Sequence, residues 1–274
     1  PTVSFQFPKI DDSFLFLHFH LPFLHYFSVE KCPVTSWHRG TGFQAHLIKS
    51  FLRESQTLKS IPFIVSGSVD RYYHSNKNVR YMKSSYESAY IVNNSKIANS
   101  KWEFWCREKI IVAGMTKVIE ATYSIEPLAL GVGIYGIKNT NQFKMKCILA
   151  LLNSKYLTYY LQINFRDKHL AGGYLAINKS TLESLPLVDI NDNIQNILSN
   201  FTSQILSAKK FGQDTQNLED QIDLMVYKLY ELTFEEAKIV DPKLDSVLAQ
   251  FGLSRTDYER MGVQDFAALN LPNG

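Results

Sequence analysis

Cysteine is almost absent from the 274 residues: Cys32, Cys106 and Cys147 are the three, and no pair has a CxxC spacing. An odd, sparse set excludes a disulfide framework and suits a reducing, cytoplasmic setting. Long apolar runs are missing as well. The longest, Phe14 to Phe27, is interrupted by His18, His20, Pro22 and His25. It falls short of the roughly 20 residues a membrane-spanning helix needs. The chain opens without a signal-peptide pattern and starts at Pro1 rather than Met. It is therefore expected to be a portion of a longer protein that is neither membrane-bound nor secreted. Catalytic signatures are missing too: no GxSxG, no HExxH and no Gly-rich loop ending in GK[ST]. Glu108-Lys109 ahead of Ile110 to Ala113 lacks the alternating Asp, Glu and Lys of a nuclease strand, and Asp70, Glu103 and Glu120 read as surface or structural carboxylates.

What is present is a globular balance, with 45% apolar and 20% charged residues, which excludes a disordered chain. The net charge of +3 hides a segregation. Residues 1–58 carry five basic and four acidic side chains, 59–179 carry 17 and seven, and 180–274 carry seven and 15. The segments are thus +1, +10 and −8. A basic middle points to a polyanionic partner, and an acidic end to a surface with a different role.

The apolar pattern changes period along the chain. Residues 43–52 have helical spacing; 61–65, 109–113, 118–123 and 128–137 read as strands. An amphipathic helix follows at 143–152 and another from Tyr156, then Tyr174 to Ile177 returns to strand and Leu185 to Val188 is extended. From Asn191 the chain is helical, with stripes at Ile194 to Leu206 and Leu218 to Leu232. Thr233 with Glu236 and Ser254 with Asp257 are capping boxes, and Asp241-Pro242 reads as an N-cap with a first-turn proline. The pattern implies an α+β domain over 1–188, of which 1–58 are hard to assign, followed by a helical region over 189–274.

Two motifs suggest chemistry and fail on context. Gly131-Val-Gly133-Ile-Tyr-Gly136 has the spacing of a dinucleotide fingerprint, but a turn-like Lys138-Asn-Thr-Asn141 follows where a helix is required, so it reads as a glycine-bearing strand. His18, His20 and His25 could ligate a metal, yet no acidic or cysteine cluster accompanies them, and they read as core or interface residues. What recurs is a cation beside an aromatic or a glycine. The cases are Arg71-Tyr72-Tyr73, Arg80-Tyr81, Lys101-Trp102, Trp105 with Arg107, and Arg166 through Lys168-His169 to Gly172-Gly173-Tyr174. Within a +10 segment this set points to nucleic acid. Lys101, Lys109, Lys168 and Lys179 are the expected phosphate contacts. Arg71, Tyr73, Arg80, Arg107, Arg166 and His169 are the expected base contacts, with Gly172 and Gly173 letting a loop approach closely.

Four segments together resemble the TaqI-like C-terminal specificity domain of DNA methyltransferases and fused restriction–modification enzymes. They are Lys109-Ile-Ile-Val-Ala-Gly114, Cys147-Ile-Leu-Ala-Leu-Leu-Asn-Ser-Lys155-Tyr-Leu, Ala171-Gly-Gly-Tyr174 leading to Leu185-Pro-Leu187, and Gln221 to Glu236. The resemblance covers residues 59 to 241. It implies a mixed, curved β-sheet target-recognition domain with flanking helices, double-stranded DNA as partner, and a separate methyltransferase or nuclease domain or subunit. S-adenosylmethionine and Mg are then expected only in those separate domains, with no cofactor in this chain. The Asn/Asp-Pro-Pro-aromatic motif of adenine transfer has no counterpart, since the sequence contains no Pro-Pro pair. The residues leave three alternatives: a specificity-subunit-like module, a protein-interaction module without catalysis, and a nuclease of unfamiliar design.

Overall fold

The computed structural model describes residues 24–25, 29–30, 41–138, 143–165, 169–170 and 174–269, with side chains from 46 onward except 169–170. It is α+β, as the pattern implies. At its centre lies an antiparallel sheet in the order 121–124, 109–113, 134–137, 29–30. The Lys109–Ala113 strand is buried on both faces. This explains a β-branched run without polar alternation. Ile110 and Val112 face one core, while Ile111 and Ala113 face another, as the two-residue period of a strand requires.

The smaller core is closed by a second four-stranded sheet in the order 129–130, 60–64, 90–92, 52–53, with helix α1 (Thr41–Phe51) and helix α2 (Asn99–Trp105) against it. Phe63, Ile64, Ile91, Phe104 and Trp105 fill it. The expected strand over 128–137 is two short strands, 129–130 and 134–137, joined by a turn in which Gly133 has φ +76°. A Cβ on Gly131 would lie 2.7 Å from Phe63 Cζ, and one on Gly136 would overlap the Phe104 ring. These glycines serve packing, as the strand reading supposed.

The larger core is covered by helix α3 (Met145–Leu152), continued by α4 (Lys155–Asn164) and the short α5 (Lys179–Glu183). The Asn153-Ser154-Lys155 corner ties this helix pair both to the central sheet and to the acidic end. Asn153 accepts from the Ala121 N–H at 3.0 Å and donates to its carbonyl at 2.9 Å, so its amide completes the edge of the central sheet. Ser154 caps α4 by accepting from Leu157 N–H. Lys155 reaches Asp220, Asp223 and Asp241 at 3.0, 3.5 and 2.8 Å.

The acidic end forms helices α6 (Asp192–Lys210), α7 (Gln216–Leu229), α8 (Phe234–Val240), α9 (Leu244–Gln250), α10 (Arg255–Arg260) and α11 (Val263–Ala267). Both capping boxes are present, and Gly212 with φ +67° ends α6. Asp241 ends α8 and, just ahead of α9, makes an N-cap bond across Pro242: its Oδ1 accepts from the Lys243 N–H at 3.0 Å, while Oδ2 takes Lys155 at 2.8 Å, so the regular helix starts only at Leu244. Ile194, Leu198, Ile205, Leu224 and Met225 belong to the same core as Ile110 and Leu149, so the apolar interior runs unbroken across residue 188. Among the described residues no helix is long and apolar enough to cross a membrane.

Candidate nucleic-acid interface

The exposed basic surface is built on three local structures. The first is the tight turn between strands 69–70 and 73–74. Tyr72 takes φ +61° there, tucks its ring into the larger core, and donates its N–H to Ala121 O at 2.8 Å. Its neighbours Arg71 and Tyr73 meet different surroundings. Tyr73 is 40% exposed. Arg71 instead turns toward α7 and pairs with Glu219 at 3.1 Å. Burial opposes its charge, but Asp223 and then Glu219 outweigh that and hold its pKa above the ordinary value. Next to it, burial, then Lys109 and Lys210, push His74 down to about 4, so its ring is neutral near pH 7.

The second structure is a hairpin of strands 77–81 and 84–88. Val79 and Tyr81 point into the smaller core, while Asn78, Arg80, Ser85 and Glu87 face solvent. Arg80 stands opposite Ser85. The two-residue tip, Met82-Lys83, has φ +48° and +62°, the left-handed geometry that matches strand twist but strains residues other than glycine. Lys49 of α1 donates to the Met82 carbonyl at 3.0 Å and braces this tip.

The third is a small sheet in the order 115–116, 174–176, 169–170. Met115 lies opposite Ala176 and is 58% exposed. Tyr174, 41% exposed, has the Lys117 ammonium 5.7 Å from its ring centroid. An aromatic face, a cation and a bare thioether side chain thus share one patch. Sequence reasoning found Tyr174 but missed Met115 and Lys117, which lie 57 or more positions before it and meet it only through strand pairing.

The remaining expected residues separate into groups. Arg107 is exposed and 4.0 Å from Glu103, and Lys179 pairs with Glu183 at 3.3 Å on the surface of α5. Lys101 is buried with its ammonium 5.0 Å from the Trp105 ring centroid. Lys109 departs furthest from expectation. It is fully buried and donates to the carbonyls of Trp105 at 2.8 Å and Arg107 at 2.7 Å, with Glu126 O at 3.4 Å, closing the end of α2 onto the central sheet. With its ammonium enclosed by carbonyls, Lys109 has no path to a phosphate and is a structural residue. Arg166, Lys168, Gly172 and Gly173 lie outside the described residues, as do His18 and His20, and His169 is described only as strand backbone. No cluster of metal-ligating side chains occurs among the described residues.

Residues 71–187 match the TaqI-like C-terminal specificity domain family. That stretch lies within the 59–241 over which the sequence resembles it. Among curated proteins, the chain is similar to the Type II methyltransferase M.MjaIV of Methanocaldococcus jannaschii. The two are 24% identical over 238 residues, covering 73% of this chain and 76% of that one. Among solved structures, it is similar to the Type IIL restriction-modification enzyme MmeI in complex with DNA, with 11% identity and a TM-score of 0.37. That match covers 98% of this chain and 37% of the MmeI chain, so this chain spans well under half of that enzyme's length.

Proposed function

From the match of residues 71–187 to the TaqI-like C-terminal specificity domain family, we propose that this chain recognises a specific sequence in double-stranded DNA and positions a separate modifying domain or subunit on it. The observation that carries the reading is the 77–88 hairpin, whose solvent face groups Asn78, Arg80, Ser85 and Glu87. A two-stranded ribbon fits the major groove. These side chains are the types that read base edges there: arginine on guanine O6 and N7, asparagine on adenine, glutamate on the cytosine amino group. Lys77 and Lys83 on the same ribbon would anchor it to phosphates. The small sheet with Met115, Lys117 and Tyr174 offers a second contact, its apolar groups suited to thymine methyls. In this reading S-adenosylmethionine, and Mg for any attached nuclease, belong to the separate domain, and the transfer chemistry is not performed by these residues.

The test is Arg80→Ala, with binding measured against a panel of duplexes substituted one base pair at a time. Affinity for the preferred duplex should fall by about 1–3 kcal/mol and discrimination should relax at one base pair only. Equal loss on every duplex would make Arg80 a phosphate contact and remove the ribbon from base readout.

A further inference from the structure

The acidic tail is not uniformly a scaffold. Four of its seven cations are paired: Lys209 with Glu219, Lys238 with Asp245, Arg255 with Glu235 and Glu259, and Arg260 with Asp257. Lys228 sits 3.9 Å from the centroid of the Tyr258 ring. Lys210 is exposed and has no ion pair among the described residues. Beside it, Phe211 is 79% exposed at the end of α6, an unusual place for a bare phenyl ring.

The position of this pair in the fold gives it meaning. The Glu219 carboxylate is shared: Oε2 takes Arg71 and Oε1 takes Lys209, each at 3.1 Å. It therefore ties the 69–74 turn to the last turn of α6. The helix packs on the Tyr73–His74 strand, and Lys210 is near enough to help depress His74. Exposed Tyr73, Lys210 and Phe211 thus lie on the two elements that this bridge ties together. The bridge leaves the Lys210 charge free for an external anion.

We infer that Lys210, beside Phe211 at the end of α6 and on the helix that packs against the Tyr73–His74 strand, forms a phosphate clamp through which the helical region itself grips the backbone of duplex DNA. The inference rests on the DNA-recognition reading of the preceding subsection and extends the DNA-binding face onto the acidic helical region. Phe211 excludes water from the contact, and the lower local dielectric strengthens it. Because a phosphate clamp reads no bases, it adds affinity equally on all sequences.

The experiment titrates labelled duplex with the whole chain across a range of salt, comparing wild type with Lys210→Gln, Phe211→Ser and Arg80→Ala. Both clamp residues are exposed, so melting temperatures should match wild type within error. The expected result is that Lys210→Gln weakens binding to specific and random duplexes alike and lowers the slope of log Kd against log salt by about 0.9, one phosphate contact. Phe211→Ser should weaken binding in the same sequence-independent way. If wild type and both clamp variants bind identically while Arg80→Ala is impaired, the clamp is overturned and DNA recognition stands. If wild type shows no salt-sensitive binding at all, both fall together.

Discussion

Lys109 and His74 show how burial reverses the meaning of a residue type. As the leading cation of the Lys109–Ala113 strand, Lys109 looks like a phosphate contact in sequence, yet it holds three carbonyls inside the protein. Truncating it removes the ammonium from all three carbonyls at once: Trp105 O keeps the Leu128 N–H and Glu126 O keeps the Ser124 hydroxyl, while Arg107 O loses its donor. Lys109→Met should therefore cost about 3 kcal/mol of stability, seen as a lower melting temperature, while the salt slope of DNA binding by the folded variant stays that of wild type. His74 offers a pH test. Its folded pKa of about 4 lies below the ordinary 6.5, so between those values the unfolded chain binds the extra proton. Stability from this group is complete above about pH 6.5 and is lost as pH falls toward 4. Asp223 works in the opposite sense. Burial pushes it up to about 6 against Lys155 and Arg71, so its contribution declines as pH rises from about 4 to 6. The clean comparison is thus wild type against His74→Gln, where the variant should lose less stability on acidification. A parallel shift of the two curves at every pH would contradict the assignment.

At the scale of elements, most of the fold was legible because periodicity and capping are local. The buried strand 109–113, the α3–α4 pair and the capping boxes at Thr233 and Ser254 follow from short-range pattern. The binding surface was legible only in part. Arg80, Tyr73 and Tyr174 stand exposed as their basic and aromatic surroundings suggested. Which neighbours they acquire depends on strand pairing and on α6, and no short-range signal reports it. The hairpin tip is a place where strain meets the proposed DNA contact. Lys83 holds φ +62° where glycine would fit at no steric cost. Lys83→Gly should raise stability by roughly 1 kcal/mol and at the same time reduce the salt slope of DNA binding by about 1. Stabilisation without any change in slope would show that the lysine faces away from DNA.

Over the whole molecule, the charge segregation has two uses. Part of it is internal: Arg71 and Lys155 of the basic middle are bound to Glu219, Asp220, Asp223 and Asp241 of the acidic end, so the halves attract each other as well as any outside partner. Lys155 and Asp241 stand 86 residues apart, which is why the pairing could not be read from local pattern. With a core continuous across 188, removal of 189–274 would bare Ile148, Leu149 and Leu152 to water and leave Lys155 without its carboxylates. The truncated chain should be insoluble or molten, with near-ultraviolet dichroism lost; a cooperatively melting fragment would show that the β-rich part folds alone. Other cations of the basic middle, Lys77, Arg80, Lys83, Arg107 and Lys117 among them, stay at the surface, where the proposed function uses them on DNA. The most direct measurement is selection of bound duplexes from a randomised pool at two salt concentrations, followed by sequencing. The account predicts one short enriched motif, with total retention falling steeply as salt rises. Retention that is indifferent to salt and to sequence would contradict it.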